Sequence, residues 1–338
     1  MLLVSTIGQS PVRTRSGVRQ DIAGVRRHFA ERGELAPFLA LQKPRPWSIA
    51  ATLVLSWALL VVSWWAVTWI SLAFAPLALL VMASRQRAIG NALHDSAHGN
   101  GIHSARFNQL LLAAPMFEEL HTYRRFHLSH HAELGDPARD PDFIALPLKP
   151  GEHELSATQI YFRNALSMRF WLQNVLGQLP ALPWPARLRI LAWWGALASI
   201  LAIWFGPGAS STFVLLWMVA RGTTYHLVKV FTELADHVGL VRGSIYSDTR
   251  NSPKNWLSMI LHPHHDNYHL AHHLVPRVPM SRLSELHRML SSVNDYARGH
   301  QCDAYLFGPK SVIRSWLHAM PIRRAKSTPG VDIGSFET

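Results

Sequence analysis

Eight of the twenty histidines in this 338-residue chain fall into three tight groups. They are His94-Asp95-Ser96-Ala97-His98, His127-Leu128-Ser129-His130-His131 and His269-Leu270-Ala271-His272-His273. On a helix, residues three and four apart share a face, so each group presents two or three imidazoles to one spot. Neutral imidazole is a good ligand for iron, copper, zinc and nickel. A single zinc ion takes about four ligands, so eight histidines exceed the needs of one metal. Two ions of higher coordination number, with part of each shell supplied by water, use them all. The pattern therefore points to a dinuclear centre. The absence of a hydrolase-type nucleophile arrangement points to a redox-active metal. The scattered His28, His153, His287, His300 and His318 are read as caps or surface residues.

Such groups need rigid elements to hold them, and the apolar residues supply candidates. Residues 46–84 carry no charged side chain, and this run is long enough for two membrane crossings of about 20 residues each. It predicts a tight hairpin turning near Trp64 to Thr68. A second uncharged run, 190–220, lies between Arg189 and Arg221 and is split by Gly206-Pro207-Gly208, a strong turn signal. It is short for two crossings, unless Arg187 and Arg189 snorkel at one end and the last helix runs past Arg221. The expected fold is all-α and integral to the membrane, with four transmembrane helices in two hairpins, near 48–65, 67–87, 187–205 and 208–228. A helical cap carries the metal site. Residues 1–45 form an N-terminal segment, 46–320 the membrane domain, and 321–338 a disordered tail. Residues 21–42 are compatible with a helix lying in the membrane interface.

Composition excludes other classes. Lys and Arg total 33 against 21 Asp and Glu, a net charge of +12, and only 16% of residues are charged. That is below the roughly 25% usual for soluble domains, and a disordered chain would not carry so much apolar surface. One cysteine, Cys302, leaves no disulfide framework and no Cys-ligated zinc or iron–sulfur site. The start MLLVSTIGQS is too short an apolar stretch for a secretory signal. The predicted hairpin turns lack Lys and Arg, whereas the N-terminal segment holds Arg13, Arg15, Arg19, Arg26, Arg27, Arg32, Lys43 and Arg45. The positive-inside rule then puts the three polar segments on the cytoplasmic side of the cell inner membrane, where basic residues also meet anionic lipid headgroups. Nucleic-acid binding would explain a basic chain too, but the charge is spread and no binding motif accompanies it. If the second helix leaves the bilayer near Ser84 to Arg87, His94 sits about 10–15 Å beyond it, at 1.5 Å per residue.

The boxes resemble those of the membrane-bound fatty acid desaturase family, which includes related hydroxylases and ketolases. The likeness extends through HDSAHGNGIHSARFNQLL (94–111), YRRFHLSHHAELGDPARDPDF (123–143) and TRNSPKNWLSMILHPHHDNYHLAHHLVPRVPMSRLSELHRML (249–290), and covers roughly residues 45–300. It implies four transmembrane helices, a cytoplasmic cap, two irons cycling between Fe2+ and Fe3+, and O2 as co-substrate. Electrons would come from a separate ferredoxin-, rubredoxin- or cytochrome-type donor with its reductase. It also implies a ninth histidine ligand, for which His237 in FTELADHVGL is the match. Glu233, one turn earlier, is either a ligand or an acceptor for a ligating imidazole. A ligating imidazole usually donates its other N–H to a carboxylate or carbonyl. Asp95, Asp142, Asn267 and Asp266 are candidates for such support, and Asp140 is equally a cap or turn residue. The chain departs from the family at His265, where Asn is common, and in the additional His103, His262 and His264.

The resemblance implies a desaturase acting on a lipid- or carrier-linked fatty acyl chain. A hydroxylase or oxygenase of the same family, acting on a non-fatty-acid or secondary-metabolite substrate, is the alternative. A His-rich membrane metal transporter or sensor is a third reading, opposed by the lack of charge within the spans.

Overall fold

The computed structural model describes residues 15–146, 154–240 and 243–317. His153, His318 and the expected tail at 321–338 lie outside those residues. The described residues are mostly helical. It opens with α1 (Arg15–Glu31) and α2 (Leu35–Ala40), followed by α3 (Pro46–Trp65) and α4 (Ala75–Ala97). Pro46 stands at the start of α3, where a missing N–H costs nothing. α3 then continues as one π-helical turn over Ala66–Ile70. The chain reverses at Ser71, which is extended (φ −164°, ψ 141°) and whose hydroxyl accepts from the Ala73 N–H. The turn thus falls later than Trp64 to Thr68. Trp64 is buried and its Nε1 donates to the Ala209 carbonyl at 2.8 Å, holding that stretch helical until Ser71 supplies a cap.

After α4 come α5 (Ala105–Asn108), α6 (Leu120–Glu133), α7 (Ala157–Ala165) and α8 (Met168–Leu176). The second hairpin pairs α9 (Trp184–Phe205) with α10 (Pro207–Ala220) across Gly206, whose φ of +87° suits only glycine. α10 runs through a π turn (Arg221–Tyr225) into α11 (His226–His237). The short α12 (Ile245–Asp248), α13 (Trp256–Leu261), α14 (His269–Leu274), α15 (Leu283–Leu290), α16 (Asn294–Arg298) and α17 (Val312–Ser315) complete the chain. β1 (Arg250–Asn251) and β2 (His300–Gln301) form one parallel pair.

Among the described residues, three helices are long and apolar enough to cross a membrane: Pro46–Ile70, Leu72–Ala97 and Trp184–Phe205. The last buries only Ala186, Ile190 and Trp194 and exposes Leu188, Leu191, Ile200, Ile203, Trp204 and Phe205. A continuous apolar surface of that size belongs against lipid rather than water. The expected fourth crossing at 208–228 is not among the three, because the apolar stretch of α10 ends at Arg221. That guanidinium is buried. It donates to the carbonyls of Val175 and Met116 and lies over the rings of Phe117 and Tyr225.

Helices α3, α4 and α10 share an apolar core that includes Leu60, Met82, Phe213 and Trp217. A separate core gathers Val25, Phe29, Phe38, Leu270, Leu274, Leu283 and Leu286. Phe29 stacks on Phe38 at 4.5 Å. Helices α1 and α2 therefore pack their apolar face against α14 and α15, around the third histidine box, whereas the sequence made them candidates for the membrane interface.

Candidate metal centre

The three boxes and His237 arrive on four elements. α4 delivers His94 and ends with His98 as its cap. α6 is started by Glu119, whose carboxylate accepts from the Thr122 N–H at 2.7 Å, and it carries His127, His130 and His131. α11 ends on His237. α14 is only six residues long, so its start is braced from outside: Asn251 Oδ1 accepts from the Leu270 and Ala271 N–H groups. The loop before it is tied to α4. Asn91 donates to the Pro263 carbonyl at 2.8 Å, and Arg87 pairs with Asp266 at 2.9 Å.

All nine histidines converge, in two groups. His94, His98, His127, His131 and His272 form one, and His130, His237, His269 and His273 the other, with the ligand-capable atoms of each group within 4.8 Å of one another. The boxes do not each serve one spot, as spacing suggested. The i,i+4 pairs 94/98, 127/131 and 269/273 stay together, while His130 and His272 cross to the other group. Adjacent helical residues point about 100° apart, since 3.6 residues make a turn, so His130/His131 and His272/His273 straddle both groups.

The nitrogens meet at ligand-like separations. Nε2 of His127 lies 2.7 Å from that of His98 and 3.1 Å from that of His131, and His131 to His272 is 3.1 Å. In the second group Nε2 of His269 lies 2.9 Å from that of His237 and 3.0 Å from that of His273. Ligand atoms held about 2.1 Å from one metal, at right angles, stand about 3.0 Å apart. Burial, together with neighbouring Arg124 and His130, pushes His98 down to about 3. Burial and His130 do the same to His237. Burial and the other imidazoles hold His127, His131, His269, His272 and His273 well below the usual range. These rings are neutral at pH 7, the form that ligates. Several neutral imidazoles turning nitrogen lone pairs toward a common point are held there by a cation, so the residues present fit a pair of bound metals.

His130 differs. Burial lowers its pKa, but the Asp140 carboxylate, accepting from its Nδ1 at 2.8 Å, and nearby Asp142 raise it above the ordinary value. Asp142 stands 3.9 Å from the same nitrogen. The other expected supports point elsewhere. Asp95 accepts from Asn100 Nδ2 at 2.9 Å and from the Met280 N–H, because it lies about 100° around α4 from His94. Asn267 donates to the Ser252 carbonyl, closing a loop rather than holding a ring. Glu233 pairs with Lys229 and belongs to neither histidine group.

The extra histidines are likewise outside both groups. His262 is buried, stacks on Tyr305 and bonds its hydroxyl at 3.1 Å. His264 and His265 are consecutive left-handed residues (φ 64° and 66°) in the turn that returns the chain beneath α4, and His264 lies 3.4 Å from the Thr52 hydroxyl. His103 lines a cleft of about 190 Å³ with His121 and Arg124. Sequence reasoning missed Asp236, 3.9 Å from both His269 Nδ1 and His262 Nε2, and the Asp248 carbonyl, which accepts from His237 Nδ1 at 3.1 Å. Nothing local marks either, since each contact joins separate elements.

The sequence profile described as "Fatty acid desaturase" matches residues 68–303. A curated relative, dihydrorhizobitoxine desaturase of Bradyrhizobium elkanii, is 29% identical over 269 residues, covering 71% of this chain and 72% of that protein.

Proposed function

The chain belongs to the fatty acid desaturase family, and from that premise we propose that it is an O2-dependent di-iron enzyme that introduces a double bond between two saturated carbons. The observation that carries this reading is the convergence of nine histidines, seven of them buried and His94 and His237 half-buried, in two adjacent groups. His94, His98, His127, His131 and His272 would hold one iron, and His130, His237, His269 and His273 the other. Iron so held supplies O2 reduction and hydrogen removal from an unactivated C–H bond. The chain's own part is to fix the imidazoles, exclude water and place the substrate. Asp140 keeps the Nδ1 proton on His130, which leaves Nε2 free to ligate. The overall change takes two hydrogens from the substrate, with O2, two electrons and two protons, and gives two waters. The electrons come from a separate ferredoxin-, rubredoxin- or cytochrome-type protein.

The proposed setting is the cytoplasmic membrane, with a fourth crossing near 208–228 closing the second hairpin and the histidine cap on the cytoplasmic side. The basic N-terminal segment supports that side. Two substrate readings follow. The family's description favours a fatty acyl chain. The relative's name favours a substrate that is not a fatty acid, and a family hydroxylase would act on either.

Heterologous expression with lipid and metabolite mass profiling, wild type against His272→Ala, tests the proposal. Expected is a product lighter by two hydrogens that the variant does not make. A product heavier by one oxygen would replace desaturation with hydroxylation, and full activity in the variant would end the di-iron reading.

A further inference from the structure

One cleft outside both histidine groups carries charge that the metal centre does not use. Its volume is about 190 Å³, and it sits between the loop after α4 and the start of α6. His103 comes from the loop, and His121 and Arg124 come from α6, so three side chains that carry or can take up positive charge line one small space. Among the described residues, no Asp or Glu lines it. The neighbouring Glu119 carboxylate is taken up by the Thr122 N–H at the start of α6. Ser96 also lines the cleft; it is 6% exposed, and its hydroxyl is buried without a hydrogen-bond partner. The loop itself is firmly held. Asn108 clamps Ile102 from both sides, donating to its carbonyl at 2.8 Å and accepting from its N–H at 3.2 Å. A Cβ on Gly101 would stand 2.6 Å from the Ser96 hydroxyl oxygen and 2.7 Å from Asn108 Nδ2, so only glycine lets the loop close there.

The surroundings decide what occupies it. From the cleft the chain runs through α5 and a π turn, Gln109–Ala113, to Phe117. Leu112, Ala113, Met116 and Phe117 join the apolar core of the membrane-crossing helices, and Phe117 stacks at 5.2 Å on Trp194, midway along Trp184–Phe205. The same segment leaves Phe107 56% and Leu110 49% exposed. A short segment with one face on the spans and apolar side chains on the other lies at the membrane surface, those side chains among the lipid chains. Ala105 and Asn108, in the first turn of that segment, line the cleft, which places its cations at headgroup level. We propose that this cleft binds the phosphate of an anionic phospholipid headgroup, with Arg124, His121 and His103 around the phosphate oxygens and Phe107 and Leu110 against the acyl chains. Phosphate oxygens accept charge-assisted hydrogen bonds, the kind that a guanidinium and imidazolium groups donate. An ordinary solvated surface would account for the three basic side chains. It does not account for a braced cleft with an idle buried hydroxyl beside exposed aromatic and aliphatic side chains. A choline headgroup would bring another cation next to Arg124, so phosphatidylglycerol fits better than phosphatidylcholine. The bound lipid would join the loop after the first histidine box to the helix that carries the second, as a resident of the fold and not as the substrate.

The test uses the purified full-length protein in detergent, stripped of lipid, with three probes: phosphatidylglycerol, phosphatidylcholine and inorganic phosphate. Native mass spectrometry counts bound lipid, and the rise in melting temperature reads the stabilisation that binding gives. Expected is one phosphatidylglycerol per chain, held at least tenfold more tightly than phosphatidylcholine. Arg124→Gln/His121→Gln should bring phosphatidylglycerol down to the phosphatidylcholine level while metal content stays unchanged. His103→Gln, a change at an exposed loop residue, should weaken phosphatidylglycerol severalfold with the melting temperature of the lipid-free protein unchanged, which separates a lost contact from a lost fold. Phe107→Ser/Leu110→Ser should weaken phosphatidylglycerol and leave the response to inorganic phosphate unmoved. Equal affinity for the two lipids overturns the proposal, as does phosphatidylglycerol held equally well by wild type and both cleft variants. Inorganic phosphate stabilising the protein as much as phosphatidylglycerol, with no effect of the Phe107 and Leu110 changes, would make this a free-phosphate site and overturn the lipid assignment. Loss of donor-dependent turnover in Arg124→Gln/His121→Gln, with phosphatidylglycerol binding intact, would assign the cleft to an acidic protein partner instead.

Discussion

The imidazole of His130 donates through Nδ1 to Asp140 Oδ1 at 2.8 Å, with only 4% and 3% of the two side chains exposed. Asp140 also accepts from the Gly135 and Asp142 N–H groups, so the carboxylate is itself fixed. Removing such a support typically costs about 10–100-fold in metal affinity. Asp140→Asn should therefore lower iron retention by that order during dialysis against a chelator, while helical content stays unchanged. Iron retention equal to wild type would show that His130 needs no such partner.

The two-group arrangement makes a prediction about stoichiometry. His237 belongs only to the four-histidine group. His237→Ala should take iron from two per chain toward one, whereas His287→Ala, which alters a ring bonded to the Tyr296 hydroxyl, should leave two. Elemental analysis of the purified proteins decides it, and loss of both irons in His237→Ala would mean that the groups do not fill independently.

The Arg87–Asp266 pair bolts α4 to the turn before the third box, with 10% and 12% of the side chains exposed. Removing one partner of a buried pair costs about 3–5 kcal/mol, while replacing both is far milder. Arg87→Met should lower the melting temperature in detergent, and Arg87→Met/Asp266→Leu should recover much of the loss. A double variant as unstable as the sum of the singles would show no coupling between the two.

Glu118 gives the fold a pH dependence. Burial pushes its carboxyl up to about 8 from 4.5, against the opposing pull of Arg221 and Lys229, with Asp142 adding to the rise. The native state therefore keeps a proton that the unfolded chain sheds near 4.5. This group costs nothing below that pH, and stability is lost as pH rises from there through about 8. Between about pH 5 and 8 Glu118→Gln should lose less unfolding free energy than wild type, by a margin on the order of a few kcal/mol. Parallel pH profiles for the two proteins would remove Glu118 as the cause.

Much of this was legible along the chain, because it is local. The i,i+3,i+4 spacing of the boxes is a property of a single helix, and the uncharged runs mark where apolar surface must meet lipid. His237 was reached by resemblance and then found among the converging rings. What lay beyond reading was the division of labour. Which rings come together in one group depends on how α4, α6, α11 and α14 are turned against one another, and rings one residue apart on a helix face different ways. Asp95 and Asp140 were both plausible partners by position, yet only Asp140 meets an imidazole, since the choice is made by where the loop after α6 folds.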